Sequence, residues 1–146
     1  MTIHQIFQAD HRALRKRIQE VQQVAMAHCE SLDSLFKNLH AEARAHFRKE
    51  DEVYYPYIDQ NKKIADRELM HTLRNDHAAV VFALESLAIR LRKRVPIDEW
   101  KTKFQTLTAV LLPHFDAEEI KLFPEVERIL PAAELELLLK QVRSLQ

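Results

Sequence analysis

Not one glycine occurs among the 146 residues of this chain. Glycine is the usual residue for left-handed turns, two-residue hairpins and loops that wrap phosphate, so hairpin-rich β folds and nucleotide-binding loops are disfavoured. An all-α fold is the natural survivor. The length suits one domain with a real core, and the expectation is a single domain over residues 1–146.

Apolar residues recur at steps of three and four. Ile3, Phe7, Leu14, Ile18, Val21 and Ala25 predict a first helix ending near His28. Leu32, Phe36, Leu39 and Ala43, continued by Val53 and Tyr57, predict a second. After a polar segment around Asn61 to Lys63, Leu69, Leu73, Val80, Leu84, Leu87 and Leu91 mark a third, which ends in a basic cluster suited to a helix C-terminus. Pro96 and Asp98 open a fourth, with Trp100, Phe104, Leu107, Leu111, Leu122 and Val126 on its buried face. Short connections then force an up-down-up-down antiparallel four-helix bundle over about residues 2–129. Leu135, Leu138, Leu139 and Val142 predict a short amphipathic C-terminal helix over about 131–145. Pro56 and Pro124 are expected to kink or end regular helical bonding.

Each stripe has a gap, and the gaps share a chemistry. Stepping from Phe7 to Leu14 lands on His11; from Ala43 to Val53, on His46 and Glu50; from Leu73 to Val80, on His77; from Leu111 to Leu122, on His114 and Glu118. Counting from the loops at about 1.5 Å per residue puts all six at one level of the bundle. "HFRKEDEVYYP" from His46 and "HFDAEEIKLFP" from His114 repeat one pattern: His-Phe, Glu fifth, an acid sixth, an aromatic tenth and Pro eleventh. Histidine and glutamate four apart share a helical face and can address one centre. Six buried ionisable groups in one layer are costly alone, and metal ions resolve that cost. Two facing half-sites predict a two-metal centre, each metal with two histidines, bridged by Glu50 and Glu118. An oxo or hydroxo bridge derived from water is expected between the metals. Four imidazoles, two carboxylates and no thiolate favour iron, and the ligand type also admits zinc or manganese.

The ordered set resembles the hemerythrin-like HHE cation-binding family. Asp10-His11, Asp76-His77, HFRKE…YP and HFDAE…FP carry the resemblance over about residues 5–130. It implies a four-helix bundle with a non-haem di-iron centre held by His11, His46, Glu50, His77, His114 and Glu118. Classical oxygen-carrying hemerythrins use five histidines and end in His-x-x-x-x-Asp. With four matched histidines and a final His-x-x-x-Glu, this chain is more similar to the four-His, two-Glu proteins that repair iron–sulfur centres or handle nitric oxide or peroxide.

Around the six, Asp51 and Glu119 fit a solvated or outer position better than ligation, with bridging as the alternative. Asp10 and Asp76 either accept a ring N–H of a neighbouring ligand histidine or lie exposed. His4 reads as a partly exposed structural residue, and His28, His40 and His71 as solvated. Phe47 and Phe115 either screen the centre or simply pack; Tyr54, Tyr55 and Tyr57 offer a hydrogen-bond donor, without spacing deciding which. The run from Arg12 to Arg17 reads as a solvated face.

The expected function is binding of, or reaction with, a small oxidant (dioxygen, nitric oxide or peroxide) in sensing, detoxification or iron–sulfur repair. Any turnover would be di-iron redox chemistry on peroxide or nitric oxide, with no catalytic group beyond the metal ligands and no organic cofactor. The alternative is an iron storage, donor or sensor module, with a protein partner or second copy engaged through the C-terminal helix. A metal-free structural bundle is the third reading. Lys+Arg and Asp+Glu balance at 22 each, which argues against nucleic acid and anionic membranes. No window approaches the roughly 18 apolar residues of a membrane helix. Cys29 has no internal partner and the first residues are too polar for a secretory signal, so a cytoplasmic location is expected.

Overall fold

The computed structural model of the protein describes residues 1–61, 63–64 and 66–145. Its helices are α1 (Ile3–Val24), α2 (Glu30–Lys49), α3 (Tyr55–Gln60), α4 (Arg67–Lys93), α5 (Ile97–Ala117), α6 (Phe123–Ile129) and α7 (Ala132–Arg143). One π-helical turn, Glu50–Tyr54, joins α2 to α3, and a second, Glu118–Leu122, joins α5 to α6. Four rods result: α1, α2–α3, α4 and α5–α6. α1 and α4 each pack against both α2 and α5, so the rods close into a four-helix bundle, antiparallel between chain neighbours. The polar connection expected at 61 to 63 includes position 62, which lies outside the described residues.

Side chains near the helix ends set the boundaries. Thr2 and Gln5 form a reciprocal capping box at the start of α1, the Cys29 sulfur accepts the Leu32 N–H, and the Asp66 carboxylate accepts that of Leu69. Because Cys29 caps α2, the first turn comes early: α1 stops at Val24 rather than near His28. α4 ends on Arg94 at φ 54°, a left-handed position where glycine is usual. Two hydrogen bonds from its guanidinium to Asp33, at 2.8 and 2.7 Å, hold that conformation.

The apolar interior is divided in two. One cluster fills the end near the α1–α2 and α4–α5 turns, from Leu14, Ala43, Val80 and Phe115 outward to Trp100. The other fills the end near the chain termini, from Phe7, Tyr54, Leu73 and Leu122 outward to Ile58 and Val126. Leu138, Leu139 and Val142 of α7 are buried in this second cluster, where α7 packs on α1 and the first π turn; Leu137 stays half exposed.

Both π turns begin at the glutamate of a His-x-x-x-Glu pair. The Tyr55 N–H bonds to the Glu50 carbonyl and the Phe123 N–H to that of Glu118. The α pattern does break beside each proline, but as a widened turn that starts six residues earlier, and the rod then resumes. Pro56 and Pro124 sit in the first turns of α3 and α6, where a missing N–H costs little. Insertions of this kind inside α-helices recur at functional sites.

Candidate metal centre

Between the two apolar clusters lies a polar layer. His11 comes from α1, His46 from α2, His77 from α4 and His114 from α5, while Glu50 and Glu118 open the two π turns. All six are buried, and both glutamates are fully so. The Nε2 atoms of His11 and His46 lie 3.1 Å apart, as do those of His77 and His114. Glu50 Oε1 is 3.0 Å from His46 Nε2 and 3.2 Å from His77 Nε2. Glu118 Oε1 is 3.2 Å from His114 Nε2 and 3.4 Å from His11 Nε2. Each carboxylate therefore spans one histidine from either half of the chain, and the arrangement has a twofold pattern.

The outer ring nitrogens follow the same pattern. His46 Nδ1–H donates to Asp10 at 2.9 Å and His114 Nδ1–H to Asp76 at 3.0 Å, so each acid before one histidine serves the histidine of the neighbouring helix. His77 Nδ1–H donates to Asp51 at 2.7 Å. The fourth member is looser: Glu119 Oε1 stands 3.4 Å from His11 Nδ1, too poorly aligned for a hydrogen bond, and Arg15 draws it away at 2.9 Å. Asp51 and Glu119 thus take outer positions. Lys49 bonds Asp10 at 2.9 Å, so cations back both carboxylates on the His11–His46 side. Among the described residues, no lysine or arginine forms an ion pair with Asp51 or Asp76.

Aromatic rings close the layer. Phe47 stacks on His77 and Phe115 on His11, each with centroids 4.2 Å apart. Of the three tyrosines, Tyr55 enters the layer: its O–H donates to Glu118 Oε2 at 2.9 Å and lies 3.2 Å from His77 Nε2. Tyr54 points instead to His4, which is buried rather than partly exposed. His28 is also not simply solvated, since its ring N–H reaches the Val95 carbonyl. His40 is half-buried beside Phe36, and His71 is exposed.

The donor set fits cations. Among the described residues, neither oxygen of Glu50, nor Oε1 of Glu118, meets an aligned hydrogen-bond donor despite complete burial. A buried carboxylate without donors is costly, and a cation removes that cost. Donor atoms converge in two overlapping groups, His11–His46–Glu50–Glu118 and Glu50–His77–His114, each within 4.8 Å.

A family model for the hemerythrin HHE cation-binding domain matches residues 2–126. The chain belongs to the hemerythrin HHE cation-binding family. No curated protein and no solved structure gives a significant match. Metal binding in this HHE domain rests on the buried His/Glu cluster together with that membership. No described helix is long and apolar enough to cross a membrane.

Without a cation, protons compensate the layer. Burial works against charging His46, yet the Glu50 charge and the Asp10 hydrogen bond hold its imidazole up to about 10. His77 is likewise held up to about 9 against burial, by Asp51 and Glu50. Burial favours a neutral Glu50, but His46 foremost keeps its carboxyl well below the usual range. Cations bound here would displace those protons.

The outer hydrogen bonds orient the rings for that exchange. Replacing Asp76 by Ala removes the acceptor on His114 and is expected to weaken metal affinity by roughly 10–100-fold. Competition against a chromogenic chelator measures it, and an unchanged affinity would remove Asp76 from the centre.

Proposed function

We propose that this HHE domain holds two iron ions and uses them to bind or react with a small oxidant: dioxygen, nitric oxide or peroxide. His11 and His46 hold one ion, His77 and His114 the other, and Glu50 and Glu118 are shared. The observation that carries this reading is the span of each glutamate across both halves, with both oxygens of Glu50 and Oε1 of Glu118 meeting no aligned donor among the described residues. Iron supplies one-electron exchange and open coordination to a small ligand.

The chain's own residues define the environment of that chemistry. Asp10, Asp51 and Asp76 fix the ring orientation of three histidines through Nδ1, leaving Nε2 to face the centre. Phe47 and Phe115 keep bulk water from the ring faces. Among the described residues, the Tyr55 O–H is the one side-chain hydroxyl that bonds a glutamate of the layer, placed to orient Glu118. Four neutral imidazoles stabilise oxidised iron less than a carboxylate-rich site does, which suits reversible binding or modest turnover.

Anaerobic mixing of the reduced, iron-loaded protein with each of the three oxidants tests the proposal. At least one is expected to produce a ligand-to-iron absorption band or turnover. Inertness to all three would end it.

A sensor reading has its own support, because α7 packs on the π turn that begins at Glu50. Metal loading should then change hydrogen exchange in α7. Identical protection with and without metal would contradict that reading.

A further inference from the structure

The repeat that builds the centre departs from itself at several positions, and three of them lie together. Seven residues before His11 stands His4, whereas Met70 stands before His77. Four residues after Glu50 stands Tyr54, whereas Leu122 follows Glu118. Nine residues after Glu118 stands Glu127, whereas Asp59 follows Glu50. These three departures meet in space.

His4 Nε2 lies 2.6 Å from the Tyr54 hydroxyl, and His4 Nδ1 lies 2.8 Å from Glu127 Oε1. Ionised Glu127 can only accept, so Nδ1 carries the hydrogen and the Nε2 lone pair accepts the phenolic O–H. His4 and Tyr54 are buried, His4 stacks on Phe123 at 4.5 Å, and the Glu127 side chain is 55% exposed. Burial lowers the His4 pKa, with Glu127 opposing, which leaves a neutral imidazole able to take a proton. Inward, Tyr54 reaches the layer through rings in contact. Phe7 lies 5.0 Å from Tyr54 and 5.6 Å from His46, and Tyr55, bonded to Glu118, lies 6.1 Å from Tyr54. Outward, His4 and Glu127 line a groove of about 490 Å³ with Ile3, Leu135 and Leu139.

We propose that Tyr54, His4 and Glu127 form a proton-coupled electron relay that delivers single electrons from this groove to the His/Glu layer. It rests on the oxidant chemistry proposed above, with a peroxide as the electron acceptor. Tyr54 gives one electron to the layer and its phenolic proton to Nε2 of His4, leaving a neutral tyrosyl radical and an imidazolium stabilised by Glu127. Two such events, with two protons taken up from solvent at the layer, reduce one hydrogen peroxide to two waters. A small reductant of the endiol class then gives one electron at the groove and loses its proton to solvent, while the imidazolium returns its proton and so restores each phenol. The charged Glu127 makes transfer of the phenolic proton favourable, and burial among apolar rings keeps that proton from being lost to solvent instead.

The test separates the relay from the centre. The full chain is loaded with zinc, which is redox-silent, and photo-oxidised with tris(bipyridine)ruthenium and a sacrificial electron acceptor. Electron paramagnetic resonance is expected to show a neutral tyrosyl radical that Tyr54→Phe abolishes and Tyr57→Phe retains. Its formation should slow about tenfold in Glu127→Gln, since a positioned base loses its supporting charge, and further in His4→Gln. Glu127 is more than half exposed, so Glu127→Gln keeps the fold and makes that arm decisive. A radical on Tyr57 or Trp100 instead, or equal rates in all three proteins, overturns the relay. In the iron-loaded chain, rapid freezing after hydrogen peroxide should trap the same radical as the iron spectrum changes. An iron spectrum that changes while Tyr54 stays reduced also overturns it. Iron inert to peroxide, dioxygen and nitric oxide alike would overturn the oxidant reading instead, and the zinc experiment would still decide the relay.

Discussion

Glu50→Gln is expected to strip the chain of most of its bound metal, whereas Glu52→Gln is expected to change nothing. Glu50 is fully buried at the start of the first π turn and lies within 3.2 Å of histidines from both halves of the chain. The amide keeps the volume, removes the charge that attracts a cation, and turns a donor toward ring nitrogens that must themselves donate electron pairs. Losing an outer partner of a ligand costs roughly 10–100-fold in affinity, and losing a shared ligand should exceed that. Glu52 is half exposed and paired with Arg48 at 3.0 Å, so it reports any general effect of changing charge on this turn. Metal per chain after desalting reads both variants. Full metal retention in Glu50→Gln would remove that residue from the centre.

Chelation should have the second large effect, and its pH dependence has a definite sign. With free metal about 1,000-fold above its dissociation constant, binding stabilises the fold by about 4 kcal/mol. For a chain of this size that moves the thermal midpoint by roughly 8–16 °C. In the chelated protein, His46 and His77 are held above their ordinary 6.5, at about 10 and about 9. Their contribution is complete below 6.5 and is lost as pH rises through 9 to 10. Glu50 is held below its ordinary 4.5, so its contribution is present above that value and is lost as pH falls through its folded pKa. The chelated protein should therefore weaken on both sides of a mildly acidic to neutral optimum. The gap between the loaded and the chelated protein should widen between those limits, because each displaced proton makes binding about tenfold tighter per pH unit. Thermal melts with and without chelator at several pH values measure the gap. A gap that narrows from mildly acidic to mildly alkaline pH would contradict the assignment.

The six residues of the layer were legible because they fill the gaps in otherwise apolar stripes, and helical periodicity alone brings such positions inward. His46 with Glu50, and His114 with Glu118, needed only a spacing of four on one helix. The bundle was legible for the same reason, helped by a chain with no glycine for tight turns. Beyond the glutamates that periodicity fails. Each π turn inserts a residue into the helical phase, so counting onward from Glu50 at the α-helical angle cannot tell Tyr54 from Tyr55. One faces His4 and the other Glu118. The burial of His4 was hidden as well, because its cover comes from Phe123 and Glu127, more than a hundred residues along the chain. The early end of α1 depends on Cys29 acting as a cap, a role that serine, threonine, aspartate or asparagine more often fills.

The most direct test of the central claim is elemental analysis of the full chain, loaded anaerobically with ferrous iron, desalted and quantified against protein. Two iron ions per chain are expected, because two pairs of histidines share two carboxylates. One ion per chain would contradict the shared centre, and none would return the layer to a purely structural role.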